Sequence, residues 1–73
     1  MKHVNLSLGK NIRALRQRNN WSQAELAMLL GVTPQAVSKW ERAKTAPDLS
    51  LLPEIASVFG CRIDDLFAVQ EKF

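Results

Sequence analysis

The feature that most restricts this chain is a three-residue joint. Two stretches with helical spacing, residues 23–30 and 34–42, are separated only by Gly31-Val32-Thr33. Helices joined so closely must cross sharply. Such a crossing requires a small residue where the helices touch, a glycine in the turn, and apolar residues on the inner face of the second helix. The sequence supplies Ala27, Gly31, Val37 and Trp40 at those places. Each alone has an ordinary explanation; the four together at these spacings define a tight bihelical unit.

The remaining punctuation is regular. Gly31, Pro34, Pro47, Pro53 and Gly60 cut the chain into short pieces with helical rather than alternating periodicity. No strand, repeat or linker is visible, and five helices are expected. The first runs over residues 6–18, capped by Asn5 or Ser7, with Leu8, Ile12 and Leu15 as its buried stripe. The second follows Ser22, where Ser22-Gln23-Ala24-Glu25 fits a capping box, and ends before Gly31. The third takes Thr33 as cap and Pro34 at its first position, where a missing N–H is harmless. The fourth is capped by Ser50, putting Pro53 at its third position, and turns Leu52, Ile55, Ala56 and Phe59 inward before Gly60. The fifth covers residues 63–68, with Leu66 and Phe67 inward and Asp64 and Asp65 at its start.

Length and composition exclude several functions. A chain of 73 residues buries roughly 60% of its surface, enough for one core but not for a deep substrate cavity as well. No apolar run approaches the roughly 18 residues of a membrane span, and Met1-Lys2-His3-Val4-Asn5 does not open a secretory leader. One cysteine, Cys61, and one histidine, His3, allow neither an internal disulfide nor a structural zinc site. No nucleophile–His–acid set, paired-carboxylate cleft or phosphate-binding glycine loop is present. Asp64 and Asp65 are neighbours on a helix, so their side chains diverge. A small soluble, cytoplasmic, non-enzymatic domain without metal or cofactor is expected.

The net charge is +3 and the isoelectric point about 9.5, but position matters more. Residues 1–20 carry Lys2, Lys10, Arg13, Arg16 and Arg18 and no acid, whereas Asp48, Glu54, Asp64, Asp65 and Glu71 crowd the last third. A basic front and an acidic back orient a molecule toward a polyanion. The third helix agrees. Gln35, Ser38, Lys39 and Arg42 fall within about 100° of one another on a helical wheel, opposite Val37 and Trp40. That polar face offers amide, hydroxyl, ammonium and guanidinium groups. Glutamine can pair with adenine and lysine can donate to guanine in the major groove.

The segments Leu8-Gly9-Lys10-Asn11-Ile12-Arg13-Ala14-Leu15-Arg16, Trp21-Ser22-Gln23-Ala24-Glu25-Leu26-Ala27, the run from Gly31 to Arg42, Pro47-Asp48-Leu49-Ser50 and Gly60-Cys61-Arg62-Ile63-Asp64-Asp65-Leu66 together resemble the phage-repressor, Cro-type (XRE) helix-turn-helix family. The resemblance covers residues 8–67, with the helix-turn-helix unit at about 23–42 and a short tail at 68–73. It implies an all-α, five-helix, lambda-repressor-like domain, bacterial or phage-encoded, that binds double-stranded operator DNA as a homodimer on a two-fold site and represses transcription. By position, Gln35 and Lys39 correspond to base-reading residues. Thr33, Ser38, Arg42 and Lys44 correspond to residues touching phosphates or flanking bases. Gln23 corresponds to a phosphate-anchoring glutamine that also braces a polar side chain of the third helix. Arg16 and Glu41 correspond to a buried ion pair, which removes Arg16 from the DNA contacts.

Three positions depart from the family pattern. Ala43 stands where glycine is usual, Pro34 where many relatives have a polar side chain, and Cys61, read as a small buried hydrophobe, where valine is usual. A competing reading is an antitoxin-like protein-interaction module, for which Met28 and Leu29 on the outer side of the second helix would supply a contact. The tail at 68–73 is too short to wrap a partner. For assembly, Phe67, Val69 and Phe73 are the apolar residues left over once the core is assigned.

Overall fold

The computed structural model describes residues 4–68 of the chain, with side chains from residue 7 onward. Five helices follow one another: α1 Val4–Arg18, α2 Gln23–Leu30, α3 Pro34–Glu41, α4 Leu52–Phe59 and α5 Ile63–Leu66, with a single 3₁₀ turn, Leu49–Leu51, leading into α4. Among the described residues there is no strand. The assembly measures 32 × 22 × 20 Å.

The core is one cluster: Leu8 and Ile12 from α1, Leu26, Ala27 and Leu30 from α2, Val37 and Trp40 from α3, Leu52, Ile55 and Ala56 from α4, and Leu66 from α5. Every helix contributes, so none can be lost without opening the whole. Leu15, Phe59 and Phe67 are only half-buried and flank this cluster. Phe59, expected in the core, instead stacks on Trp21 with ring centroids 5.9 Å apart.

Three boundaries differ from the sequence reading. Helix α1 starts at Val4, so Asn5 and Ser7 lie inside it; nothing in that stretch breaks a helix, and a polar residue within one costs only tenths of a kcal/mol. Ser50 does not cap α4. Pro53 lacks the N–H that would reach back to Leu49, and the Leu49 carbonyl accepts from Leu52 instead, producing the 3₁₀ turn and leaving Pro53 in the first turn of α4. Helix α5 stops at Leu66 rather than continuing to Ala68, because the Phe67 and Ala68 backbones donate three residues back, to Asp64 and Asp65, in a tightened final turn, and the carbonyls left there are taken by Asn11. Its side-chain amide is buried and donates to the carbonyls of Leu66 (2.7 Å) and Ala68 (2.8 Å). Cys61 is half-buried rather than buried. Val69 and Phe73 of the expected contact patch lie outside the described residues.

The approach of α1 to α3 depends on Gly9. A Cβ there would be driven into the Trp40 carbonyl oxygen. The backbone of α1 therefore rests directly on the last turn of α3, and only glycine allows it.

Candidate nucleic-acid interface

Helices α2 and α3 are stopped and started by local chemistry. The Ser22 hydroxyl accepts from the Glu25 backbone at 3.0 Å, and the Glu25 carboxylate accepts from the Ser22 backbone at 2.7 Å. Gly31 closes α2 at φ 72°, a left-handed conformation that glycine adopts without penalty. The Thr33 hydroxyl accepts from the Ala36 backbone at 3.1 Å, and Pro34 opens α3.

The far end of α3 is closed by a Schellman arrangement. The Ala43 backbone donates to Trp40 at 3.0 Å and the Lys44 backbone donates to Lys39 at 2.8 Å. The pattern requires a left-handed residue, and Ala43 occupies it at φ 60°. Lys44 is thereby held one turn beyond Lys39.

A buried polar network fixes α3 from behind. The Arg16 guanidinium donates through Nε to Glu41 Oε2 at 2.7 Å and through Nη2 to Oε1 at 3.0 Å. Its Nη1 donates to the Trp21 carbonyl at 2.8 Å. Gln23 Nε2 donates to the same Glu41 Oε1 at 3.0 Å. The two charged side chains are 12% and 3% exposed. The Glu41 carboxylate on α3 thus ties α1 to the first residue of α2, and Arg16 ties in the loop before α2.

The outer face of α3 carries the residues singled out from the sequence. Gln35, Lys39 and Arg42 are exposed and Ser38 is half-buried, while Val37 and Trp40 point into the core. Arg42 Nε donates to Ser38 Oγ at 3.3 Å, a pairing one turn apart on this face. Thr33 and Lys44 are exposed beside this face in the chain, and Gln23 is half-buried behind it. Gln23 has one amide N–H engaged by Glu41; its second remains a donor.

Nothing else in the described residues competes as a site. Cys61 lines an open depression with Pro53, Ala56, Ser57, Arg62, Ile63 and Asp64. Burial pushes its thiol pKa up, and the Asp65 carboxylate pushes it further the same way, which disfavours the reactive thiolate. No group of three or more His, Cys, Asp or Glu side chains stands together to hold a metal ion among the described residues. No described helix is long and apolar enough to cross a membrane.

Known proteins share this arrangement. Residues 12–66 match the family model described as Helix-turn-helix. The P22 c2 repressor, solved in complex with synthetic operator 9T, superposes with a TM-score of 0.78 at 35% identity, over 82% of this chain and 91% of that one.

The chain belongs to the phage-repressor, Cro-type helix-turn-helix family.

Within this family, the HTH-type transcriptional regulator PuuR of Escherichia coli K12 is 33% identical over 72 residues, which is 99% of this chain but 39% of that protein. Hydroxypropylphosphonic acid epoxidase from S. wedmorenis also contains the fold, with a TM-score of 0.83 at 31% identity over 92% of this chain. This chain covers 36% of that enzyme, so the likeness extends to the helical fold and not to the enzyme as a whole. The five-helix architecture of this chain holds the α2–α3 crossing in place. Two positions that build it here, Gly9 and Asn11, went unrecognised in the sequence. Gly9 could have been suspected as a helix-breaking residue kept within a helix. Asn11 lies between Leu8 and Ile12 on α1 and carries no such signal.

Proposed function

We propose that this chain is a sequence-specific, double-stranded DNA-binding transcriptional regulator, acting as a repressor, that reads the major groove with α3. The observation that carries this reading is the exposed polar face of α3, presented by a helix whose opposite side is locked through Trp40 and Glu41. A groove-reading helix must be rigid, because base contacts are geometric. The Arg16–Glu41–Gln23 network and the Gly9 contact supply that rigidity.

Gln35 and Lys39 are one turn apart and reach neighbouring base pairs. Arg42, Lys44, Thr33 and Ser38 hold phosphates or flanking bases. The Thr33 oxygen caps α3, but its hydroxyl hydrogen is still available to donate. The second amide N–H of Gln23 serves a phosphate while the first keeps its bond to Glu41, so docking and bracing use one side chain. A single domain of this size covers little groove surface, so useful specificity requires two copies on a two-fold site. The P22 c2 repressor, solved in complex with a synthetic operator, supports operator DNA as the partner by analogy. Against the antitoxin-like reading, the exposed apolar surface of α2 amounts to Met28 and Leu29, and scattered apolar residues are normal on any surface.

Selection of bound duplexes from a random DNA pool tests the proposal. A two-fold consensus with two chains per duplex is expected. A pool that enriches no sequence overturns the specific-regulator reading, and one chain per duplex at saturation overturns the two-copy arrangement.

A further inference from the structure

The face of α1 beside α3 carries a cation, Arg13, that neither the fold nor the proposed contacts of α3 use. Gly9, Arg13 and Arg16 fall within about 60° on one stripe of the helix. Gly9 rests on the Trp40 carbonyl and the Glu41 backbone, and Arg16 is bonded to the Glu41 carboxylate. Arg13 lies between them, one turn from each, and is exposed. Arg13 has no hydrogen-bond or ion-pair partner among the described residues. The nearby carboxylate of Glu41 is 3% exposed and already accepts from Arg16 and Gln23. Lys10, one turn before Arg13 and also exposed, adds a second positive charge on the flank of the same stripe. The described part of α1 contains no acid to offset either.

We infer that Arg13, supported by Lys10, extends the DNA interface from the end of α3 onto α1 by contacting the phosphate backbone of the same duplex. The inference rests on the proposed function, since it takes the duplex to lie along α3. The partner follows from charge complementarity: Arg42 and Lys44 are exposed just past the last turn of α3, the turn on which Gly9 rests. A phosphate contact positions the protein without reading sequence. Arg13 therefore adds affinity to every duplex alike.

The test is a binding titration of the parent, Arg13→Gln and Arg62→Gln on a selected duplex and a scrambled duplex from 50 to 200 mM salt. Arg62 lies in the acidic half of the chain and controls for loss of one positive charge at a distance. Arg13→Gln is expected to lower the salt slope by about one per bound chain on both duplexes. Its affinity deficit should then shrink about 3-fold per bound chain across that salt range, with base preference and melting temperature unchanged. Arg62→Gln should leave the slope as in the parent. An unchanged slope for Arg13→Gln overturns the inference, as does an equal change in Arg62→Gln, which would mean a net-charge effect only. A lowered melting temperature with an unchanged slope assigns Arg13 to the fold. If the parent itself prefers no duplex, the proposed function fails first; if the parent discriminates and only the Arg13 arm is flat, that function stands and this inference alone falls.

Discussion

Replacing Glu41 by alanine removes the acceptor of three hydrogen bonds, two from Arg16 and one from Gln23. Taking one partner from a buried ion pair costs about 3–5 kcal/mol, mainly because the other charge stays buried. Arg16 retains its bond to the Trp21 carbonyl and is 12% exposed, so water can reach it in part. The lower end, about 3 kcal/mol, is therefore expected. A 73-residue domain has roughly 4–11 kcal/mol to lose, and about 4–8 °C of melting temperature goes with each kcal/mol. Glu41→Ala should melt roughly 12–24 °C below the parent, measured by circular dichroism at fixed pH and salt. The paired change Arg16→Met with Glu41→Leu removes both charges and should recover most of that loss. Glu41→Ala melting within two or three degrees of the parent, or the double variant no more stable than Glu41→Ala, would refute the reasoning.

Three other substitutions probe the frame. Gly9→Ala drives a methyl group into the Trp40 carbonyl and should destabilise by at least about 1–3 kcal/mol, seen as a lowered thermal midpoint; a neutral result would mean that α1 and α3 can separate cheaply. Ala43→Gly relieves a left-handed alanine at φ 60° and should raise stability by about 1 kcal/mol, read from the denaturation midpoint at unchanged slope. Asn11→Ala leaves the Leu66 and Ala68 carbonyls without their side-chain donor and should cost about 1–3 kcal/mol, with faster amide exchange at α5 as the local signature.

Much of the fold was legible because its signals are local. The Ser22–Glu25 box, the Thr33 cap, Pro34 and the left-handed Gly31 each act within a few residues, so they can be read from spacing alone. The exposed face of α3 was legible for a related reason: an eight-residue helix with Val37 and Trp40 buried has only one side left to show. What escaped was long-range or depended on a missing atom. Asn11 bonds to carbonyls 55 and 57 residues away, and backbone acceptors leave no trace in a sequence. Gly9 matters through the Cβ it lacks, and its contact is on another helix. The α4 boundary shifted because one absent N–H, at Pro53, redirected a neighbour's hydrogen bond into a 3₁₀ turn. In the candidate site, the Gln23–Glu41 bond could be anticipated only as a brace to some polar residue of α3, since the choice of partner depends on the angle between the helices.

The central claim is that α3 reads bases while its surroundings hold phosphate, and Lys39 and Lys44 separate the two roles. Both are exposed lysines, so they differ in place rather than in chemistry. The direct measurement is the affinity of Lys39→Ala and Lys44→Ala for a selected duplex and a scrambled one at several salt concentrations. Lys39→Ala should lose about 1–3 kcal/mol on the selected duplex and relax preference at one or two base pairs, with far less effect on the scrambled one. Lys44→Ala should weaken both duplexes alike and lower the salt slope by about one per bound chain. Equal losses on both duplexes for both variants would contradict the account, leaving α3 as a basic surface that reads no sequence.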